Sequence, residues 1–323
     1  MRILITSPIY PDAIQELCER HHVICAFDAE EEVLQSLIRD CDILVFRSGV
    51  SITAEVMASA PNLKLLIRAG SGLDNLDLEY VRKRGLEFFR ISEPGAQAVA
   101  ELTFALMLAL ARQVLVADRL LRQGRWAKHE LTGYLLAGKT LGIVGAGNIG
   151  SRVGQMGAVW GMKVIGCVED PSPEIEATLR EKGIHLTDFQ EVLSKGDFVT
   201  IHVPLKESTR NMIDAEALAR MKPGAFLLNL ARGGVVDEDA LYKALTEGHL
   251  RGAALDVHQE EGEGKISPLA ELPNVILTPH IGAVTIESQR EIGARVIEII
   301  DGFVLEDVRP KLAADLFMPE SYV

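Results

Sequence analysis

Short, largely apolar runs recur along the chain, separated by stretches of helical period. Ile3-Leu4-Ile5, His22-Val23-Ile24-Cys25, Ile43-Leu44-Val45-Phe46 and Leu65-Leu66-Ile67 read as strands. Residues 12–20, 30–38 and 77–84 read as the helices between them. Strands that are apolar on both faces and alternate with helices predict a parallel sheet covered on both sides. A long Leu- and Ala-rich helical pattern then runs from Ala96 to Trp126 and breaks near Gly124. A second α/β series begins at Thr140, with strands expected at 141–144, 163–168, 198–202, 225–230, 252–255 and 275–277. Residues 286–303 are helical again, and a short tail with Pro310 and Pro319 follows. No low-complexity segment or short repeat interrupts this pattern. The expectation is an α/β protein of two Rossmann-like, doubly wound parallel-sheet domains with the long helix as the hinge between them. Periodicity alone does not decide which unit the last helices join.

The 323 residues suffice for two such domains, and a composition 48% apolar and 24% charged is that of a globular protein. The net charge of −13 repels nucleic acid and anionic membranes, so neither is expected as a partner. An anionic substrate would then need a local cationic pocket. Cys18, Cys25, Cys41 and Cys167 show neither C-x-x-C nor metal-ligand spacing, so free thiols and no metal are expected. The apolar run at the N-terminus is too short for a signal peptide. The most hydrophobic stretch, Leu102 to Ala111, is too short to cross a bilayer. A cytoplasmic location is the expectation.

Gly145-Ala146-Gly147-Asn148-Ile149-Gly150 fits G-x-G-x-x-G. The hexapeptide alone is weak, but here it follows an apolar strand and opens a helical pattern that runs to Trp160, the context dinucleotide binding requires. Gly145 permits the tight turn, Gly147 lets a pyrophosphate approach the backbone, and Gly150 lets helix and strand pack closely. Amides near Asn148 and Ile149 would hold the pyrophosphate at the helix start. The next strand ends in Val168-Glu169-Asp170; either acid could take the ribose hydroxyls and would repel the extra phosphate of NADP, so NAD is expected.

Three further stretches each follow a predicted strand, where ligands sit in parallel sheets. They are Asn229-Leu230-Ala231-Arg232-Gly233-Gly234, Leu255-Asp256-Val257-His258-Gln259-Glu260-Glu261 and Leu277-Thr278-Pro279-His280-Ile281-Gly282. With Arg68-Ala69-Gly70-Ser71-Gly72-Leu73-Asp74-Asn75, Ala100-Glu101-Leu102-Thr103, Gly138-Lys139-Thr140-Leu141-Gly142, His202-Val203-Pro204-Leu205 and Ser208-Thr209-Arg210, they make the chain resemble the D-isomer-specific 2-hydroxyacid dehydrogenases over nearly its whole length. The wording is most similar to the 3-phosphoglycerate dehydrogenase branch.

The resemblance implies hydride transfer between NAD and C2 of a small 2-hydroxy or 2-oxo acid. His280 would be the acid/base. Glu261 would orient its imidazole and favour the charged form, and Arg232 would grip carboxylate and carbonyl as a rigid fork. Backbone amides at Ser71 and Gly72 would complete the carboxylate site. Asp256 would face the nicotinamide carboxamide. The cofactor groove would be lined by His202, Val203, Pro204, Thr209, Leu230, Ala231, Arg232, His280 and Gly282. A lone Arg, Glu or His after a strand is ordinarily structural; it is the three in their family frames that carry the assignment. His258 and Glu260 are neighbouring decoys, and His21, His22, His129, His185 and His249 gain no role from spacing.

The resemblance also implies a discontinuous substrate domain, residues 1–97 with 285–323, around a cofactor domain at 98–284. It implies a homodimer paired through the cofactor domain. The regulatory domain some relatives carry at the C-terminus is not expected.

Departures from the family pattern are local. Val168 stands at the usual ribose-binding Asp, so Glu169 would have to substitute. Gly262 replaces the Pro that usually follows the catalytic Glu and loosens the backbone behind Glu261. Residues 92–97, Ser-Glu-Pro-Gly-Ala-Gln, lack the commoner Asn. Arg47 and Arg68 end predicted N-terminal strands and would serve a second anionic group on the substrate, such as phosphate, sulfonate or carboxylate. Equally, Arg68 could be a common family residue and Arg47 half of a structural ion pair. Arg125, Lys128 and His129 could add charge from a partner subunit. The rivals are a phosphite-type dehydrogenase and an NAD-sensing binding protein of the same fold. Formate oxidation is disfavoured because those relatives carry Gln in place of Glu261.

Overall fold

In the computed structural model, which describes residues 1–27 and 29–306, the chain opens on β1 (Arg2–Ile5) and α1 (Pro11–Arg20). It continues through β2 (His22–Cys25), α2 (Glu31–Ile38), β3 (Ile43–Phe46), α3 (Ala54–Ala58), β4 (Leu65–Arg68), α4 (Leu78–Arg84) and β5 (Glu87–Arg90). These strands form a five-stranded parallel sheet in the order β2-β1-β3-β4-β5, a doubly wound arrangement. Alternate residues of one strand serve opposite faces. Leu4, Leu44 and Leu66 join one core with Leu34, Ile38, Val56 and Met57, whereas Ile3, Ile5, Ile43 and Val45 join another. That is why β3 and β4 are buried at every position and read as unbroken apolar runs.

The chain then forms α5 (Glu93–Ala111), α6 (Val114–Arg122), β6 (Thr140–Val144), α7 (Asn148–Val159), β7 (Lys163–Cys167), α8 (Pro173–Glu181), β8 (Ile184–Leu186) and α9 (Phe189–Lys195). It ends with β9 (Phe198–Ile201), α10 (Ala215–Arg220), β10 (Phe226–Asn229), α11 (Glu238–Thr246), β11 (Gly252–Leu255), β12 (Val275–Leu277) and α12 (Ile286–Glu306). The second sheet has seven parallel strands in the order β12-β11-β10-β9-β6-β7-β8. Strand order reverses between β6 and β9, the switch point at which such sheets bind ligands. Side chains of Ser172, Asp188, Asp214 and Asp237 cap α8, α9, α10 and α11 by accepting backbone N–H groups, each worth about 1 kcal/mol.

Among the described residues two compact units result, residues 1–95 with 283–306, and residues 96–282. Where the last helix belongs, which periodicity left open, is now visible: Ile292, Val296 and Ile300 of α12 lie one helical turn apart and share the core of Ile3, Ile5 and Leu17. The tail with Pro310 and Pro319 lies outside the described residues.

The long helical pattern is broken earlier than its sequence suggests. Gln113 takes a left-handed conformation (φ +52°) and separates α5 from α6, while Gly124 (φ +76°) only closes α6. The cause is tertiary: the carbonyl of Ala111, which a continuing helix would use, accepts the amide of Tyr134 at 2.8 Å. By length and composition α5 could span a membrane, but 61% of its apolar window is buried inside the protein, as in a core helix. Three elements had no sequence signal. β5 is an edge strand of alternating pattern, Glu-Phe-Phe-Arg, and α3 and β8 are too short to show a period.

Candidate active site

The glycine turn sits between β6 and α7 at the switch point. Gly145 has φ +90°, and a Cβ there would come within 2.8 Å of Val203 and 2.9 Å of the His202 carbonyl. A Cβ at Gly150 would lie 2.2 Å from the carbonyl oxygen of Gly145, so only glycine lets α7 approach the turn. Gly147 differs: nothing lies within 4 Å of its Cβ position, and as the residue before α7 it supplies no side-chain cap to the first amides. Open space beside an uncapped helix N-terminus is what a pyrophosphate needs, so these residues fit a dinucleotide. Gly147→Val should therefore leave the melting temperature near that of the parent and abolish NADH binding measured by fluorescence. Gly150→Ala should lower the melting temperature. Unimpaired NADH binding by Gly147→Val would place the cofactor elsewhere.

Val168 directly follows β7, and the next residue, Glu169, meets Lys206 Nζ at 2.9 Å. Lys206, which the sequence reading overlooked, lies in the loop after β9. That loop is held by Thr209, whose hydroxyl donates to the Pro204 carbonyl at 2.6 Å and accepts the Lys206 amide at 2.8 Å. Burial drives the His202 imidazolium down to about 3, so this ring is neutral; its Nε2 pairs with the Thr200 hydroxyl at 2.9 Å.

Arg232, Glu261 and His280 all lie beyond the carboxyl ends of adjacent strands, after β10, β11 and β12. Asn229, 1% exposed, shapes the Arg232 turn: its Oδ1 accepts the Ala231 amide at 3.1 Å and its Nδ2 donates to the Arg232 carbonyl at 3.0 Å. Arg232 Nη1 donates to the Ala231 carbonyl at 2.7 Å. A Cβ at Gly233 would lie 1.7 Å from the His258 carbonyl oxygen, so the loops bearing Arg232 and Glu261 touch backbone to backbone. Leu230 and Ala231 are buried beneath them.

His280 Nδ1 lies 2.9 Å from Glu261 Oε2. A carboxylate can only accept, so Nδ1 carries the hydrogen and Nε2 is left for proton exchange. Burial pushes the Glu261 carboxyl up, yet hydrogen bonds from His280 and the His258 amide, with the charge of both histidines, bring it below its ordinary value. His280 has φ +54°, a strained conformation for a side chain with a Cβ. Asp256, 2% exposed, holds it there. Its backbone carbonyl accepts the His280 amide at 2.8 Å, while its Oδ1 accepts the Thr278 hydroxyl (2.6 Å) and the Ile281 amide (2.9 Å) and its Oδ2 the Gly282 amide (2.7 Å). A Cβ on Gly282 would lie 2.9 Å from that Oδ2. The side chain assigned from the resemblance to the carboxamide thus spends three acceptor positions on the His280 loop. His258 turns its Nε2 to the Thr278 carbonyl at 2.9 Å, and Glu260 pairs with Lys265.

In the first unit, Arg68 ends β4 and Arg47 directly follows the neighbouring β3, whose Phe46 pairs with Arg68 across the sheet. Arg68 is 2% exposed: its Nε donates to the Gly72 carbonyl at 2.6 Å, and its guanidinium lies 5.6 Å from the Phe46 ring centre. It shapes the turn carrying Ser71 and Gly72. Arg47 Nη1 reaches the Pro8 carbonyl (3.3 Å) and Gln289 Oε1 (3.1 Å), both neutral, and burial lowers its pKa. Asn75 Nδ2 joins the two strand ends by donating to the carbonyls of Arg47 (2.8 Å) and Val50 (2.6 Å). Among the described residues no group of His, Cys, Asp or Glu could hold a metal, and Cys18, Cys25, Cys41 and Cys167 are free.

Residues 104–282 match the NAD-binding domain of the D-isomer specific 2-hydroxyacid dehydrogenases. The chain is 43% identical over 302 residues to D-3-phosphoglycerate dehydrogenase of Methanocaldococcus jannaschii, covering 93% of itself but 57% of that protein. It is 38% identical to hydroxypyruvate reductase of Thermotoga maritima, covering 93% of itself and 97% of the relative. D-lactate dehydrogenase of Aquifex aeolicus, solved with NAD and lactic acid, superposes with a TM-score of 0.83 at 30% identity, over 95% of this chain and 96% of the other. The family match over the dinucleotide-binding half and the near full-length relatives agree with the switch-point turn and the strand-end residues: this chain belongs to the D-isomer specific 2-hydroxyacid dehydrogenase family.

Proposed function

We propose that this chain reduces the carbonyl of a small 2-oxo acid to the D-2-hydroxy acid, and catalyses the reverse oxidation, with NAD as its cofactor. The observation that carries the proposal is the His280–Glu261 pair at 2.9 Å, held on a strained backbone at the carboxyl end of a parallel sheet beside Arg232. Nicotinamide, when bound, supplies or takes up the hydride at C2. In reduction, His280 Nε2 delivers its proton to the carbonyl oxygen, and Glu261 holds the ring and balances its charge. Arg232 binds the carboxylate and polarises the carbonyl through paired N–H donors. In oxidation His280 takes the hydroxyl proton back. Glu169, next to the hydrocarbon Val168, is the acceptor for the ribose hydroxyls.

The preferred substrate carries a second anionic group, recognised by Arg47. Among the described residues this half-buried guanidinium meets only neutral oxygens, which leaves its charge uncompensated. Arg68, spent on the Gly72 carbonyl, holds the turn that presents the Ser71 and Gly72 amides. Arg47→Met should raise KM for phosphohydroxypyruvate by about 10- to 100-fold, the cost of a hydrogen bond to a charged group. KM for glyoxylate should stay within about twofold if that group is the contact. Equal losses on both substrates would give Arg47 a structural role.

The partner is a second copy of the chain, packed through the NAD-binding unit. No residue of α6 is buried, and the NAD-binding unit leaves Leu121 of α6, Trp126 (78% exposed), Leu135 and Val159 (82%) open, large apolar side chains of the kind a partner covers. Light scattering should report a dimer that Leu121→Glu with Trp126→Glu converts to monomer; a monomeric parent would contradict this.

A further inference from the structure

Glu238 is the first residue of α11, 3% exposed, and both its carboxylate oxygens are taken by groups outside that helix. Its Oε1 accepts the Gln259 amide at 2.6 Å, and its Oε2 accepts the Ser267 hydroxyl at 2.9 Å. Between those two anchors runs the loop 260–266, exposed throughout and carrying Glu261. Within the loop, Glu261 takes the His258 amide and the His280 ring, and the Lys265 amide donates to the Gly262 carbonyl at 3.2 Å. Gly262 (φ +127°) and Gly264 (φ +77°) have nothing within 4 Å of a Cβ position, and the Lys265–Glu260 pair is solvent-exposed and so worth little. A carboxylate with this little access to water is costly to bury, and α11 repays part of the cost by placing its N-terminus beside it.

We infer that Glu238 is a positioning residue for proton transfer: by tying both ends of the glycine-loosened loop to α11, it sets the distance of Glu261 from His280. The inference rests on the acid/base reading proposed above. The other groups that bear on Glu261 are already committed. His258 donates its amide to Glu261 Oε1 and pairs its ring with the Thr278 carbonyl, Asp256 is taken up by Thr278, Ile281 and Gly282, and Glu260 pairs with Lys265.

The test is the pH dependence of kcat for NADH-linked 2-oxo acid reduction, with NADH binding followed in parallel by fluorescence. In Glu238→Ala the pH at which reduction fades should fall, as when a carboxylate is moved away from the group that carries the proton. Its kcat should drop about 10- to 100-fold, as for a displaced catalytic group. NADH binding should be unchanged, and Glu261→Gln added to Glu238→Ala should shift the profile no further. Glu238→Gln should restore the parent profile, since its amide oxygen still accepts the Gln259 N–H and its NH2 can donate to the Ser267 oxygen. If Glu238→Ala fails to fold, Ser267→Ala removes one anchor and should move the profile in the same direction by less. An unmoved profile in the folded variant, with Glu261→Gln shifted, overturns the inference and leaves the acid/base reading intact. If Glu261→Gln is itself unmoved, both fall.

Discussion

Arg232→Ala should lose about 10²- to 10³-fold in turnover of 2-oxo acids, the cost of removing a donor aimed at developing negative charge. The guanidinium is planar, permanently charged and set on a turn that Asn229 fixes from both sides, so its fork is pre-organised. Its loss removes the grip on the carboxylate and the polarisation of the carbonyl together, so KM should rise and kcat fall. Arg232→Lys should recover binding more than rate, because an ammonium replaces the charge but not the paired donors. Steady-state kinetics at saturating NADH reads both effects. Full activity in Arg232→Ala would remove Arg232 from the site.

His280→Ala should slow the chemical step by about 10²- to 10⁴-fold, the range general acid–base catalysis supplies. NADH should still bind, because the turn at Gly145, Gly147 and Gly150 lies on another strand end and makes no use of the imidazole. The substitution also frees Glu261 from its His280 hydrogen bond, so added small imidazoles are expected to restore part of the rate in the vacated space. If His280→Ala instead abolished NADH binding, the strained backbone at this position would be the residue's contribution and its ring would have no chemical role.

Much of this fold can be read from the sequence, because buried parallel strands such as Ile43–Phe46 and Gly252–Leu255 are short apolar runs bounded by turn residues. Elements without that signature were invisible: β5 lies on an edge and α3 is five residues long. The α5–α6 break depends on Tyr134 capturing a carbonyl more than twenty residues earlier in the chain, which no local pattern encodes. In the site, the glycine turn and the three strand-end residues could be read because they hold family spacing. Their supports could not. Glu238 looks like an ordinary acidic residue at a helix start, Asn229 like a strand end, and Lys206 like a loop charge. What each one does is a matter of where tertiary packing puts its partner.

The most direct test is to follow NADH consumption with glyoxylate, hydroxypyruvate, phosphohydroxypyruvate, sulfopyruvate and oxaloacetate side by side. The expected result is turnover of 2-oxo acids, with the doubly anionic ones preferred and the preference lost in Arg47→Met. Absence of turnover with every one of them, in a protein that still binds NADH, would contradict the proposed reaction.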